Sequence, residues 1–377
     1  MSKNNAQTMA SSDFNLEKLN TTELSKHIAS TIEVGGNMAI FGRRGTGKTE
    51  ISKEEIKKSG ALEVYINLSV MERVDMGGYP NIMASAAQKK FVDFLLPQFY
   101  EAMLEGNRPV VALLDEVDKA DPSLWAPLLE FSQFHSINGR KLTNLKAVIM
   151  TGNLLSEGGS RPSLPLLDRA EKYLVEADAA SWLDWAGRTR KIHPSVTAYI
   201  TDHPKDLFGA VDPEDRYADP SPRGWAGASE ILFRGEELGW SSELLNKKVC
   251  GRVGKDAGIK YSNYFEHYQQ LLPMIENIFQ GQNVTRQYEA LEPTKKLVAC
   301  MITCARLATL LDSSNEKSPP EAISHVGKFL QKVSYENVLV AVRSQIQLDR
   351  LFKYSLDDHS EWSQFLAKIH QSVEGDK

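Results

Sequence analysis

The chain has 377 residues, 42% of them hydrophobic and 25% charged, an ordinary balance for a soluble globular protein with room for two domains. Its 44 basic and 49 acidic residues leave a net charge of -5, which argues against a protein that coats nucleic acid electrostatically. No stretch reaches the roughly 18 apolar residues needed to cross a bilayer, the polar opening lacks a secretory core, and Cys250, Cys300 and Cys304 form neither a disulfide framework nor a zinc pattern. These features make the cytoplasm the expected compartment, with no membrane partner.

Residues 1–13 read as a disordered tail. The spacing predicts a helix over 21–32, with Ile28 and Ile32 on one face. A short buried strand over 37–41 then runs into a glycine-rich turn, followed by a helix over 49–58 and a strand over 62–68. Leu95, Phe99 and Met103 lie at helical spacing in 91–104, where Pro97 should kink or split the helix. A second apolar strand is expected over 110–114, a helix over 122–134, and a tight hairpin at Asn138-Gly139, a dipeptide that accepts positive φ. Residues 147–150 make a third apolar strand. Short apolar strands alternating with helices imply a parallel sheet covered on both faces. Near residue 212 the composition shifts through two acidic, proline-containing stretches, and beyond it the pattern is helical, as in 297–311 and 338–352. Cys300 and Cys304, one helical turn apart among apolar residues, read as core packing rather than metal ligands. His135 and His193 have no partner visible in the sequence.

Gly42, Arg43, Arg44, Gly45, Thr46, Gly47, Lys48 and Thr49, in succession, match the pattern G-x-x-x-x-G-K-[ST] in full. Glycines at this spacing let backbone N–H groups turn inward around phosphate oxygens, and the helix that follows adds the partial positive charge of its N-terminus. Lys48 should reach the β- and γ-phosphates of ATP, and the Thr49 hydroxyl should bind Mg²⁺. Leu113-Leu-Asp-Glu-Val-Asp118 places acids at the carboxyl end of an apolar strand, where α/β sheets put their ligands. Asp115 is placed to hold the metal through water, and Glu116 to polarise the attacking water.

With these motifs in order, the chain resembles the AAA+ ATPases and, within them, the MoxR-like group, over roughly residues 37–225. Thr151-Gly-Asn153, Leu164-Pro-Leu-Leu-Asp-Arg169, Ser221-Pro-Arg-Gly-Trp225 and Val74-Asp-Met-Gly-Gly-Tyr-Pro80 are similar to further stretches of that group. The resemblance implies a three-layer α/β P-loop sandwich with a parallel sheet over 14–210, then an α-helical lid and helical C-terminal region over 211–377. It implies that Asn153 orients the water or touches the γ-phosphate, that Arg169 is an arginine finger reaching a neighbouring subunit, and that Arg223 faces the nucleotide. A homo-oligomeric ring, most often hexameric, follows from a finger supplied in trans. For the MoxR-like group the implied work is remodelling a protein client, often one with a von Willebrand factor A domain. Two other readings stay open: a nucleic-acid motor or loader, and a nucleotide-gated scaffold with little hydrolysis.

Overall fold

Asn20 starts the first long helix by a reciprocal cap: its side chain accepts from the Glu23 N–H and the Glu23 carboxylate accepts from the Asn20 N–H, each at 2.9 Å. That helix, α1 (Thr21–Val34), buries Leu24, Ile28 and Ile32 and ends at Gly35, whose φ of 79° an L side chain would resist. The computed structural model describes residues 16–83, 92–155, 160–176, 178–189, 191–209, 220–313 and 321–345. The expected tail at 1–13 and the composition shift around 212 lie outside them. The chain divides into two compact units, Met1–Asp178 and Ala179–Lys377.

The first unit is built on a six-stranded parallel sheet. Its strands are β1 (Glu17–Leu19), β2 (Asn37–Gly42), β3 (Leu62–Asn67), β6 (Val110–Asp115), β9 (Leu145–Gly152) and β10 (Glu171–Val175), in the spatial order β1-β10-β2-β9-β6-β3. The pleat sorts each strand's side chains between two faces. Ala39, Phe41, Val110, Ala112, Leu114, Val148 and Met150 pack on one side with Leu124, Leu128 and Phe131, the last two from the helix α3 (Trp125–Phe134). Met38, Ile40, Val111, Leu113, Ala147 and Ile149 pack on the other with α1 and with Ile56 of α2 (Lys48–Lys58). Strands hydrophobic on both faces, with helices over each, make a three-layer α/β sandwich. This is the fold class expected from the alternation of apolar strands and helices.

Two small hairpins stand outside the sheet. One pairs β7 (Ser136–Ile137) with β8 (Arg140–Lys141) through Asn138 at φ 49° and Gly139 at φ 75°, the turn expected from that dipeptide. The other corrects the helix expected over 91–104. Asp93–Leu95 is a strand, β5, paired antiparallel with β4 (Tyr79–Asn81), and helix begins only at Glu101–Glu105 after a single turn at Gln98–Tyr100. Pro97 cannot donate into a helix, and pairing with Tyr79–Asn81 satisfies the backbone before it. Of the three residues that suggested one face, Met103 is buried and Leu95 is 60% exposed.

The second unit is helical throughout its described residues: α4 (Ala179–Thr189), α5 (Pro194–Asp202), α6 (Pro222–Leu238), α7 (Ser242–Val253), α8 (Lys255–Phe279), α9 (Pro293–Ser313), α10 (Glu321–Leu330) and α11 (Tyr335–Gln345), with short turns between. Trp182 and Tyr199 join the same core as Trp225, Tyr261 and Phe265, so the helices from Ala179 onward belong by packing to this unit. Cys300 and Cys304 are buried in that core, and burial pushes both thiols up, away from the thiolate a metal would need. Residues 346–352 of the last expected helix fall outside the described residues. Among the described residues no helix is long and apolar enough to cross a membrane.

Candidate nucleotide site at the strand tips

Strand β2 delivers the chain into the phosphate loop, and close packing explains the first glycine. A Cβ on Gly42 would stand 2.7 Å from the Val175 carbonyl oxygen of β10. Gly45 and Gly47 take φ of 75° and 88°, which turns the backbone around the loop and directly into α2. Gly47 is the N-cap of α2 and supplies no side-chain acceptor, so the helix opens toward the loop without a side-chain cap. The Thr46 hydroxyl donates to the Arg43 carbonyl at 2.9 Å, tying the loop to itself. Lys48 is only 7% exposed and folds back into the loop, donating to the carbonyls of Gly42 at 2.8 Å and Arg43 at 2.9 Å. Its Nζ also lies 3.4 Å from Oδ1 of Asn153.

The sheet order brings the second acid motif alongside. Strands β2 and β6 flank β9, and all three run parallel, so their carboxyl ends share one edge. Asp115 ends β6, and its carboxylate accepts from the Thr49 hydroxyl at 3.1 and 3.2 Å. It also accepts from the Thr151 hydroxyl, the Glu116 N–H at 3.0 Å and the Tyr65 hydroxyl at 3.0 Å. Because Thr49 gives its proton to Asp115, its oxygen lone pairs remain for a cation. A hard divalent ion that keeps most of its waters and needs few protein ligands fits this donor set. Among the described residues no cluster of three or more His, Cys, Asp or Glu could hold a metal ion by itself.

Glu116 follows in the left-handed region, at φ 57°, an uncommon conformation for a side chain of this size. The kink carries its carboxylate out of the strand line, where Lys119 meets it at 2.9 Å. The Lys119 hydrogen bond, joined by one from Ser69, holds the Glu116 carboxyl below its ordinary range despite partial burial. Asn153, just past the end of β9, is oriented by a buried acid. Asp118 is 1% exposed and accepts from the Asn153 N–H at 2.9 Å and its side-chain amide at 3.5 Å. With its nitrogen turned to Asp118, the amide presents its oxygen to Lys48.

Lys48, Thr49, Asp115, Glu116 and Asn153 thus converge on one edge of the sheet, with Arg43 and Arg44 on the loop itself. Arg169 does not join them. Its guanidinium donates to Gln133 at 2.7 Å and to the Pro165 carbonyl at 2.6 Å, and its own carbonyl accepts from Asn37 at 3.3 Å. Asn37 begins β2 and the phosphate loop follows the strand's other end, so the two sites stand roughly 16 Å apart at ~3.3 Å per residue. Arg223 is exposed on the first turn of α6 in the second unit, a helix capped by Ser221, whose hydroxyl accepts from the Gly224 N–H at 3.0 Å, with Pro222 at its first position. Sequence reasoning missed Tyr65, Thr151, Asp118, Lys119 and Ser69 as partners of the site. Each acts across strands or around a turn, so its role shows only once the chain is folded.

Among its described residues the second unit holds another cluster with catalytic ingredients. His193 caps α5, its Nδ1 accepting from the Ser195 N–H at 3.2 Å, which leaves Nε2 to donate to Glu236 at 3.1 Å. The Ser195 hydroxyl lies 2.6 Å from the same Nδ1 and also bonds Tyr261. Carboxylate, imidazole and hydroxyl in this order resemble a hydrolytic triad, yet Ser195 and Tyr261 are both fully buried. No substrate reaches them, and the network serves the core.

No family model and no curated protein matches the chain. Among solved structures, a mutant RuvB from Thermotoga maritima is similar at 12% identity and a TM-score of 0.37, over 70% of this chain and 80% of that one. So shallow a likeness adds nothing to what the sheet and the site show directly.

Proposed function

We propose that this protein is a magnesium-dependent ATPase of the AAA+ class, of the MoxR-like type, which turns over ATP in a ring to remodel a protein client. The observation that carries the reading is the Thr49 hydroxyl seated on Asp115, with Lys48 beside Asn153. A phosphate loop, a metal-facing carboxylate and a polar amide meet where a triphosphate would lie.

Phosphoryl transfer is mainly positioning and charge stabilisation, so each residue's task follows from its place. The loop amides and the N-terminus of α2 cradle the phosphates. Lys48, now spent on loop carbonyls, turns its ammonium to the β- and γ-oxygens. Thr49 and Asp115 would hold Mg²⁺, which when bound neutralises charge on those oxygens. Glu116 orients and polarises the attacking water, and its lowered pKa keeps it ionised for that task. Asn153, fixed by Asp118, offers its carbonyl oxygen to the water's proton. Arg223 is assigned to the nucleotide of its own chain.

Arg169 is assigned to the neighbouring subunit's site. Its place a strand length from its own loop favours this, and a finger in trans makes hydrolysis depend on assembly, in a ring that we take to be hexameric. The client, of the von Willebrand factor A kind in this reading, would take up the force. The net charge of -5 speaks against DNA as the load, and DNA-stimulated turnover would reverse that choice. Phosphate release from wild type and Glu116→Gln tests the reading. Turnover should fall by ~10²–10⁴ while Mg·ATP stays bound, and the variant should retain its client on co-purification. Equal turnover in the two proteins would remove Glu116 from the mechanism, and negligible turnover in the wild type would favour a nucleotide-gated scaffold.

A further inference from the structure

The Asp115 carboxylate is held unevenly. Oδ1 is fixed by the Glu116 backbone N–H, the Thr151 hydroxyl and part of the Thr49 contact. Among the described residues, Oδ2 is held by the other part of the Thr49 contact and by Tyr65, whose hydroxyl lies 3.0 Å away. Rotation about the last bond of an aspartate is soft and roughly two-fold, so the plane of the carboxylate depends on what pins the second oxygen.

Tyr65 is positioned to do this by both the sheet and the neighbouring helix. In the parallel ladder Asn67 lies opposite Asp115 and Tyr65 opposite Leu113, so Tyr65 is one pleat back on the same face and reaches forward across the strands. Thr49 and Lys53 are four apart on α2 and share one face of it. Thr49 bonds Asp115 while the Lys53 ammonium sits 4.5 Å over the Tyr65 ring. The ring is thereby braced although it lies on an edge strand and is 43% exposed. Such an exposed aromatic needs no hydroxyl for packing; the hydroxyl's partner is the metal-facing acid.

We propose that Tyr65 is a positioning residue for cation binding: its hydroxyl sets the plane of the Asp115 carboxylate and so tunes the affinity for Mg²⁺ with nucleotide. This rests on the reading of Asp115 as the metal-facing acid. Outer partners of metal sites are commonly worth ~10–100-fold in metal affinity.

The test is equilibrium binding of a fluorescent ATP analogue across a Mg²⁺ series, for wild type and Tyr65→Phe, with thermal melting of both nucleotide-free proteins in parallel. Phenylalanine keeps the ring and the Lys53 contact and removes only the hydroxyl. The expected result is a half-saturating Mg²⁺ concentration ~10-fold higher in the variant, with unchanged nucleotide affinity in EDTA and an unchanged melting midpoint. An unshifted Mg²⁺ curve would overturn the proposal and leave the ATPase reading standing. So would a shift that comes with lost EDTA affinity or a lowered midpoint, because that is general damage. Absence of any Mg²⁺-dependent binding in the wild type would sink the ATPase reading and this proposal together.

Discussion

The two units use the same side-chain chemistry to opposite ends. At the strand tips of the first, the partly exposed Thr49, Asp115, Glu116 and Asn153 meet around the buried Lys48 and Thr151, and several hold bonds that a ligand could take over. In the second, His193, Ser195 and Tyr261 satisfy one another inside an aromatic core, and the exposed Glu236 carboxylate holds the imidazole from the surface. Hydrogen-bonded polar groups shut away from water are structure, whereas the same groups at the open end of a parallel sheet are positioned for chemistry. Access, rather than the list of residues, separates a site from its look-alike.

The comparison can be broken by substitutions that should act on one property alone. The largest effect is expected from Arg169→Ala. If Arg169 serves a neighbour, turnover of the assembled protein should fall by ~10³–10⁵ while Mg·ATP affinity and melting stay unchanged. Equal hydrolysis by monomer and assembly would remove the finger from the mechanism. His193→Ala should do the reverse. It removes a helix cap and leaves the buried Ser195 short of a partner, at a cost of about 2–3 kcal/mol. Thermal melting should drop by about 5–10 °C with nucleotide affinity retained. A lost hydrolytic activity without lost stability would instead make the buried network catalytic.

The smallest effect sharpens the picture of Glu116. Lys119→Met removes the main cause of its lowered pKa, so the carboxyl should titrate nearer its ordinary range. The acid limb of the pH–turnover profile should then move to higher pH. For stability the sign is the same: a depressed carboxyl contributes above its unfolded pKa and loses that contribution as pH falls through the folded value. The pair is partly exposed, so the melting change should be slight. An acid limb that stays in place would mean that another group governs it.

Much of the first unit was legible because its signals are local. The loop glycines, the apolar strand runs and the Asn138-Gly139 turn each follow from backbone sterics or from periodicity over a few residues. The segment around Leu95 misled for the same reason. Three apolar residues at helical spacing said nothing of the Tyr79–Asn81 strand waiting to pair with it. His193 carried no signal, since its partner Glu236 lies on another helix.

By itself the sequence determined the parallel α/β class, the glycine-rich turn after β2 and the acids at the tip of β6, since each depends on neighbours along the chain. Only the tertiary structure decided that Tyr65 and Thr151 hold Asp115, that Asp118 turns Asn153, and that Arg169 lies away from its own loop. Those relations depend on strand order and register, which bring together residues that no spacing along the chain connects.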